Sequence, residues 1–185
     1  IRQICDEMGA LLMIDEIQTG FARTGKWFGF EHAGVRPDVV TLAKAMGNGM
    51  PVGACWARTE VAAVFQPGDH GSTYSGTAIA TAAVNATIDE MRRLDAPALA
   101  AATGARLTAR LLALDGVVGV RGFGLMLGVE LADGLYARVS YSDLLNAGLI
   151  VNAVDPSTIR LIPPLTVSND EVDEAVALIH TALLA

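Results

Sequence analysis

The chain has 185 residues, with 13 Lys+Arg against 20 Asp+Glu for a formal charge of −7, and 52% of it is hydrophobic. That apolar content excludes intrinsic disorder, two cysteines exclude a disulfide scaffold, and the acidic balance argues against nucleic acid as a partner. No predominantly apolar run reaches the ~20 residues of a membrane span, and no charged segment precedes a short apolar core, so a reduced, cytoplasmic, enzyme-like protein is expected.

Residue 1 is Ile, and Ile1–Gly9 reads as the end of an amphipathic helix already under way, stopped by Gly9. The chain is therefore expected to be a piece of a longer one. Ala10–Ile14 (ALLMI) is a short apolar run ending in Asp15-Glu16. It fits a strand buried on both faces of a parallel sheet. Val39–Leu42 (VVTL) is a second such run, ending in Ala43-Lys44. The connection between them is long enough to cross over between parallel strands. Val52–Ala57 is expected as a third strand. Gly47–Pro51 and Gln66–Gly76 read as loops from their Gly, Pro and Asp content.

Thr77–Leu94 is expected as a helix, Pro97 as a bend, and Ala98–Leu114 as a second long helix. The texture then changes. Val117–Arg121 and Leu125–Leu131 alternate around Gly122-Phe123-Gly124 and predict paired strands with a glycine turn. Ser142–Asn146 predicts a short helix stopped by Gly148. Leu149–Ala153 and Thr158–Ile162 predict short strands. Ser168 with Glu171 three residues on is a capping box for a final helix. A domain boundary falls near residue 95, giving units 1–95 and 96–185. The fold class is α/β.

In open α/β sheets ligands bind outside the carboxyl ends of strands. Two strands here end on ionisable residues, Asp15 and Lys44. A buried lysine has a depressed pKa and attacks carbonyls; a buried carboxylate beside it needs a cationic partner. Pyridoxal 5'-phosphate (PLP) meets both needs, through its aldehyde and its ring nitrogen. Two unit charges ~4 Å apart at an effective dielectric of ~20 interact by about 4 kcal/mol, enough to keep the ring protonated. Taken singly, however, a lysine just past a strand is most often solvated, and an aspartate there most often caps a turn. The pair alone leaves the cofactor open.

Gly20–Trp27 (GFARTGKW) nearly matches a phosphate-binding loop, but Trp27 stands where the motif needs a hydroxyl for Mg²⁺, and no helix follows. Gly122-Phe123-Gly124 lies between strands, the wrong context for a dinucleotide. No metal site is expected. Cys5 and Cys55 read as buried, inert thiols. Arg23 and His70 read as structural hydrogen-bonding residues.

Three stretches, LLMIDEIQTGFARTGKWF, RPDVVTLAKAMGNGMPVGA and PGDHGSTYSG, resemble the class III (ornithine/acetylornithine-type) PLP-dependent aminotransferases of fold type I. RLIPPLTVSNDEVDEA near the end is similar to the family's C-terminal domain. The resemblance implies part of the large, mostly parallel-sheet domain in 1–95 and the small α+β C-terminal domain in 96–185. It implies that Asp15 pairs with the pyridine nitrogen and that Gln18 hydrogen-bonds the ring's phenolic oxygen. Lys44 is then the catalytic residue that condenses with the cofactor and shuttles the proton. Ser72 and Thr73 bind the cofactor phosphate of a neighbouring subunit, which implies a homodimer with shared sites. Arg160 binds a substrate carboxylate through its planar fork.

The implied reaction moves an amino group from N-acetylornithine or a related ω-amino donor to 2-oxoglutarate in a ping-pong cycle. Ornithine, succinylornithine or 4-aminobutyrate aminotransferases, an aminomutase, or a fragment inactive on its own are the alternatives; Gln18 speaks against the aminomutase. After Thr73-Tyr74 the family reads Gly-Gly-Asn-Pro, whereas this chain reads Ser75-Gly76-Thr77-Ala78. The phosphate cradle, the stacking aromatic and further substrate groups belong to a half not contained in these residues.

Overall fold

The structure is a computed structural model and describes residues 1–135, 141–155 and 157–184. The chain divides into two units. One comprises Ile1–Ala22 and Lys26–Asp95, the other Arg23–Gly25 and Ala96–Ala185.

In the first unit, α1 (Arg2–Met8) ends where Gly9 adopts φ 66 and donates its N–H to Asp6 O. Glycine carries this left-handed turn without a Cβ penalty. β1 (Met13–Asp15) runs parallel to β2 (Val39–Leu42), with Met13 opposite Val39 and Asp15 opposite Thr41. β3 (Ala54–Ala57) is antiparallel to β2, giving the order β1-β2-β3. A sheet expected to be mostly parallel thus holds one parallel and one antiparallel pair within this chain.

β1 also departs from the expectation of a strand buried on both faces. Leu11 is 55% and Met13 64% exposed. β1 has a single strand neighbour among the described residues, which leaves the Met13 side chain largely uncovered.

The start of β2 is fixed by Asp38, which is buried. Its Oδ2 accepts from Arg2 Nη1 at 2.6 Å and from Leu12 N at 2.7 Å, and its Oδ1 accepts from Arg58 Nη1 at 2.7 Å. One carboxylate therefore ties α1, the approach to β1 and the exit of β3. The Arg2 guanidinium first, then the Leu12 amide and Arg58, lower its pKa to about 2. α2 (Thr59–Ala62) follows, and α3 (Ala78–Arg93) lies against the turn after β2.

In the second unit α4 (Ala96–Leu112) begins one residue before Pro97. The expected bend is instead a helix start, because the first turn needs no N–H from proline. β4 (Val117–Phe123) and β5 (Met126–Leu131) form an antiparallel hairpin closed by Gly124-Leu125. α5 (Tyr141–Asn146), β6 (Asn152–Asp155) and β7 (Thr158–Leu161) follow, and the sheet order is β4-β5-β7-β6. β6 begins three residues later than the run Leu149–Ala153 suggests.

β5 alternates half-buried and buried residues, so one face packs on the helices through Leu127, Val129 and Leu131. Leu111 from α4 and Ile179 from α6 (Asn169–Leu184) complete that core and are fully buried. The capping box forms: Ser168 N donates to Glu171 Oε2 at 2.8 Å, and Glu171 N donates to Ser168 Oγ at 3.2 Å. The Ser168 N–H and then its hydroxyl, both donating to the carboxylate, lower the Glu171 pKa.

A close backbone approach in this unit involves two glycines. A Cβ on Gly104 would lie 2.0 Å from Gly124 O, and one on Gly124 (φ 54) would lie 2.5 Å from the carbonyl carbon of Thr24. This approach seats Arg23–Gly25 in the unit. Leu125 N donates to Arg23 O at 3.0 Å, and Arg23 Nη1 donates to Leu125 O at 3.2 Å and to Pro163 O at 2.5 Å. Among the described residues no helix is long and apolar enough to cross a membrane.

Candidate active site

Asp15 is the last residue of β1, and Lys44 opens the short 3-10 turn Lys44–Met46 just past β2. Because β1 and β2 are parallel, both residues stand at the carboxyl end of the same strand pair, where α/β sheets place ligands. Lys44 adopts φ 48. A non-glycine residue held there costs of order 1 kcal/mol.

Both side chains are exposed, not buried as the carbonyl-chemistry reading supposed. Asp15 Oδ1 accepts from Ile17 N at 2.9 Å, closing a turn, and its Oδ2 has no partner among the described residues. Gln18 is half-buried on the same turn.

The turn is held by a residue that the sequence reading passed over. Glu16 is 1% exposed. Its Oε2 accepts from Thr19 Oγ1 at 2.5 Å and Gly29 N at 2.9 Å, and its Oε1 accepts from Phe30 N at 2.8 Å. Gly20 N closes the same turn onto Glu16 O at 2.9 Å. Carboxylates are rarely buried without a cation, so three converging donors are what make this one tolerable. The signal was available: Glu16 follows a buried-type run, and Thr19 and Gly20 are turn residues at hydrogen-bonding distance in sequence.

The remaining expected site residues are placed elsewhere. Ser72 and Thr73 are exposed, and no hydrogen bond among the described residues links them to Asp15, Gln18 or Lys44. Gly76 has φ 64, and α3 begins at Ala78 with Thr77 making no side-chain cap. Arg160 belongs to the second unit, on β7 between Gly128 and Asn152. Its neighbours Ile159 and Leu161 enter the core, so Arg160 faces the opposite side of the sheet. Its Nε is buried and lacks a hydrogen-bond partner among the described residues.

The phosphate-loop lookalike is structural. Phe21 and Ala22 take φ 56 and 69, and Lys26 Nζ donates to Glu31 O at 3.0 Å. Arg23 donates to carbonyls, and His70 meets the Phe65 ring edge-on at 5.1 Å. Cys5 is half-buried and Cys55 exposed, a correction to the expectation of two buried thiols.

The residues at the carboxyl end fit PLP. The Lys44 side chain makes no ion pair or hydrogen bond among the described residues, and Asp15 keeps one carboxylate oxygen for a ring N–H.

The comparisons with known proteins agree. The model of the aminotransferase class-III family matches residues 1–183.

The chain belongs to the class III aminotransferase family.

Acetylornithine aminotransferase of Bacillus subtilis is 46% identical over 186 residues, covering 99% of this chain and 48% of the relative. An S-selective transaminase from Arthrobacter superposes with TM-score 0.91 at 28% identity, covering 99% of this chain and 46% of that one. Ornithine aminotransferase of Toxoplasma gondii superposes with TM-score 0.88 at 29% identity, over 98% and 44% respectively; PLP partly occupies its active site. The fold is that of the PLP-dependent transaminases of fold type I. This class III aminotransferase chain spans about half the length of the curated relatives it matches.

Proposed function

We propose that the chain is the lysine-bearing, C-terminal half of a PLP-dependent aminotransferase, moving an amino group from N-acetylornithine or a related ω-amino donor to 2-oxoglutarate. Residues 1–95 then belong to the large cofactor-binding domain and 96–185 form the small domain. The observation that carries this reading is Asp15 and Lys44 at the carboxyl ends of paired parallel strands. Similarity to acetylornithine aminotransferases supports the choice of donor.

PLP, when bound, supplies an electron sink for the carbanion formed at the substrate carbon. Asp15 holds a proton on the ring nitrogen through its Oδ2. Gln18 donates to the phenolic oxygen from the turn that Glu16 fixes. Lys44 Nζ holds the cofactor between turnovers and then carries a proton from the substrate carbon. Arg160 offers a fork for a substrate carboxylate. Ser72 and Thr73 serve the phosphate of the other subunit's cofactor, so the working enzyme is a homodimer.

The exposure of Asp15 and Lys44 favours a second statement: the 185-residue chain alone turns over no substrate. A donor panel tests the assignment in protein of the relatives' full length. N-acetylornithine should release its semialdehyde before 2-oxoglutarate is added, as a ping-pong cycle requires. A clear preference for ornithine or 4-aminobutyrate would refute the donor, and absence of any amino transfer would refute the activity.

A further inference from the structure

One face of the second sheet packs on the helices, and the other carries charge. On the charged face Arg121 of β4, Gly128 of β5, Arg160 of β7 and Asn152 of β6 stand opposite one another in a row. The next row holds Gly119, Glu130, Thr158 and Asp155. Two arginines and two acids therefore share these rows, and both acids go to Arg121. Its Nη1 lies 3.1 Å from Glu130 Oε1, and its Nη2 lies 3.6 Å from Asp155 Oδ2 and 3.4 Å from Thr158 Oγ1. Arg160 makes no ion pair among the described residues, and its buried Nε has no hydrogen-bond partner among them.

Strand pairing alone does not select this outcome. Glu130 is opposite both Gly119 and Thr158, so it stands diagonal to Arg121 and to Arg160, roughly 7–8 Å from each and within reach of either long side chain. Two missing side chains decide between them. A Cβ on Gly119 would lie 2.6 Å from Glu130 Oε2, so this carboxylate leans over β4 and away from β7. A Cβ on Gly128 would lie 3.4 Å from Arg121 Cγ and Nε, so the arginine stem crosses β5 where that strand has no side chain. The guanidinium continues over Thr158, which is 2% exposed, toward Asp155. Buried polar donors are rarely left unpaired, yet Arg160 keeps an open donor with two acids in the adjacent row.

We propose that Arg121 is a positioning residue for carboxylate recognition: by holding Glu130 and Asp155 on its own guanidinium, it leaves Arg160 to the carboxylate of the substrate. This rests on the reading of Arg160 given above. Without Arg121 the two rows hold two acids and one arginine, and Arg160 is diagonal to both acids. An acid tethered that close competes with every carboxylate arriving from solution.

The test uses protein of the relatives' full length and reads two quantities. One is KM for 2-oxoglutarate. The other is the calorimetric Kd for glutarate, a dicarboxylate with no keto or amino group to react. Arg121→Ala should raise both by roughly 10-fold or more, because an internal acid takes the charge-assisted bonds meant for the ligand, and should leave kcat nearly unchanged. Adding Glu130→Gln and Asp155→Asn to Arg121→Ala should return both to within about threefold of the parent. Arg121→Gln, which still covers Gly128 and Thr158, is the second background should the alanine variant not fold by far-ultraviolet circular dichroism.

Parent-like KM and Kd in a folded Arg121 variant overturn the inference. So does a loss that the two acid substitutions fail to restore, which marks Arg121 as a structural residue or a direct ligand contact. Arg160→Ala separates the two proposals. A raised glutarate Kd in Arg160→Ala beside a parent-like Arg121→Ala removes this inference alone. A parent-like Kd in Arg160→Ala removes the carboxylate reading of Arg160, and the inference with it.

Discussion

Replacing Glu16 by Gln tests whether a buried carboxylate shapes the site. The side chain keeps its size and loses its charge and one acceptor. Three donors converge on it: Thr19 Oγ1 and Gly29 N on Oε2, and Phe30 N on Oε1. If the glutamine oxygen takes the Oε2 position, its NH₂ confronts the Phe30 N–H. If it flips, the NH₂ confronts the Gly29 N–H. At best one bond is lost and two become neutral. Bonds to a charged acceptor contribute about 1.5–3 kcal/mol each and neutral ones about 0.5–1.5 kcal/mol. The loss is then about 3.5–6 kcal/mol. At roughly 4 °C per kcal/mol, Tm should fall by about 14–24 °C. Thermal denaturation by circular dichroism reads the first quantity, and amide exchange at Gly29 and Phe30 reads the second. Glu16→Ala orphans all three donors and should cost more. A Glu16→Gln protein with unchanged Tm and unchanged exchange at Gly29 and Phe30 would refute the reasoning.

Further consequences are open to direct measurement. Asp38, with its folded pKa lowered to about 2, contributes stability that is present above its unfolded pKa of about 3.9 and is lost as pH falls through 2. Urea titrations should show that loss between pH 4 and 2 in the parent chain and its absence in Asp38→Asn. Gly104→Ala drives a methyl to 2.0 Å from Gly124 O and should destabilise by about 2 kcal/mol or more, whereas Gly71→Ala, with open space around it, should stay within about 0.5 kcal/mol. Chemical denaturation of the two variants side by side decides it. Ser168→Ala removes the capping box and should cost about 1 kcal/mol, with exchange accelerating at Glu171 N.

What sequence reading captured was local. Ser168 and Glu171 are three residues apart, so their bond needs only the helix start that they themselves define. The runs at Val39–Leu42 and Leu125–Leu131 carry their burial pattern in a few consecutive residues. The placement of Asp15 and Lys44 followed from short apolar runs that end in ionisable residues.

What escaped was set by distance along the chain. The approach of Gly104 to Gly124, and of Gly124 to Thr24, joins segments that no period connects. Asp38 reads as a loop acid until Arg2 and Arg58 are brought to it from both sides. The bare side chain of Met13 and the exposed thiol of Cys55 were misjudged for a related reason. An apolar sequence announces that something should cover it and says nothing about whether the covering residues belong to the same chain. The buried pair inferred for Asp15 and Lys44 failed in the same way.

The most direct measurement is the identity of the lysine that takes up the cofactor. Protein assembled to the relatives' full length is incubated with PLP, reduced with borohydride, digested and mapped by mass spectrometry. The pyridoxyl mass is expected on the peptide containing Lys44, and Lys44→Ala should lose both the label and all amino transfer. A label on Lys26 alone, no label at all, or amino transfer that survives Lys44→Ala would contradict it.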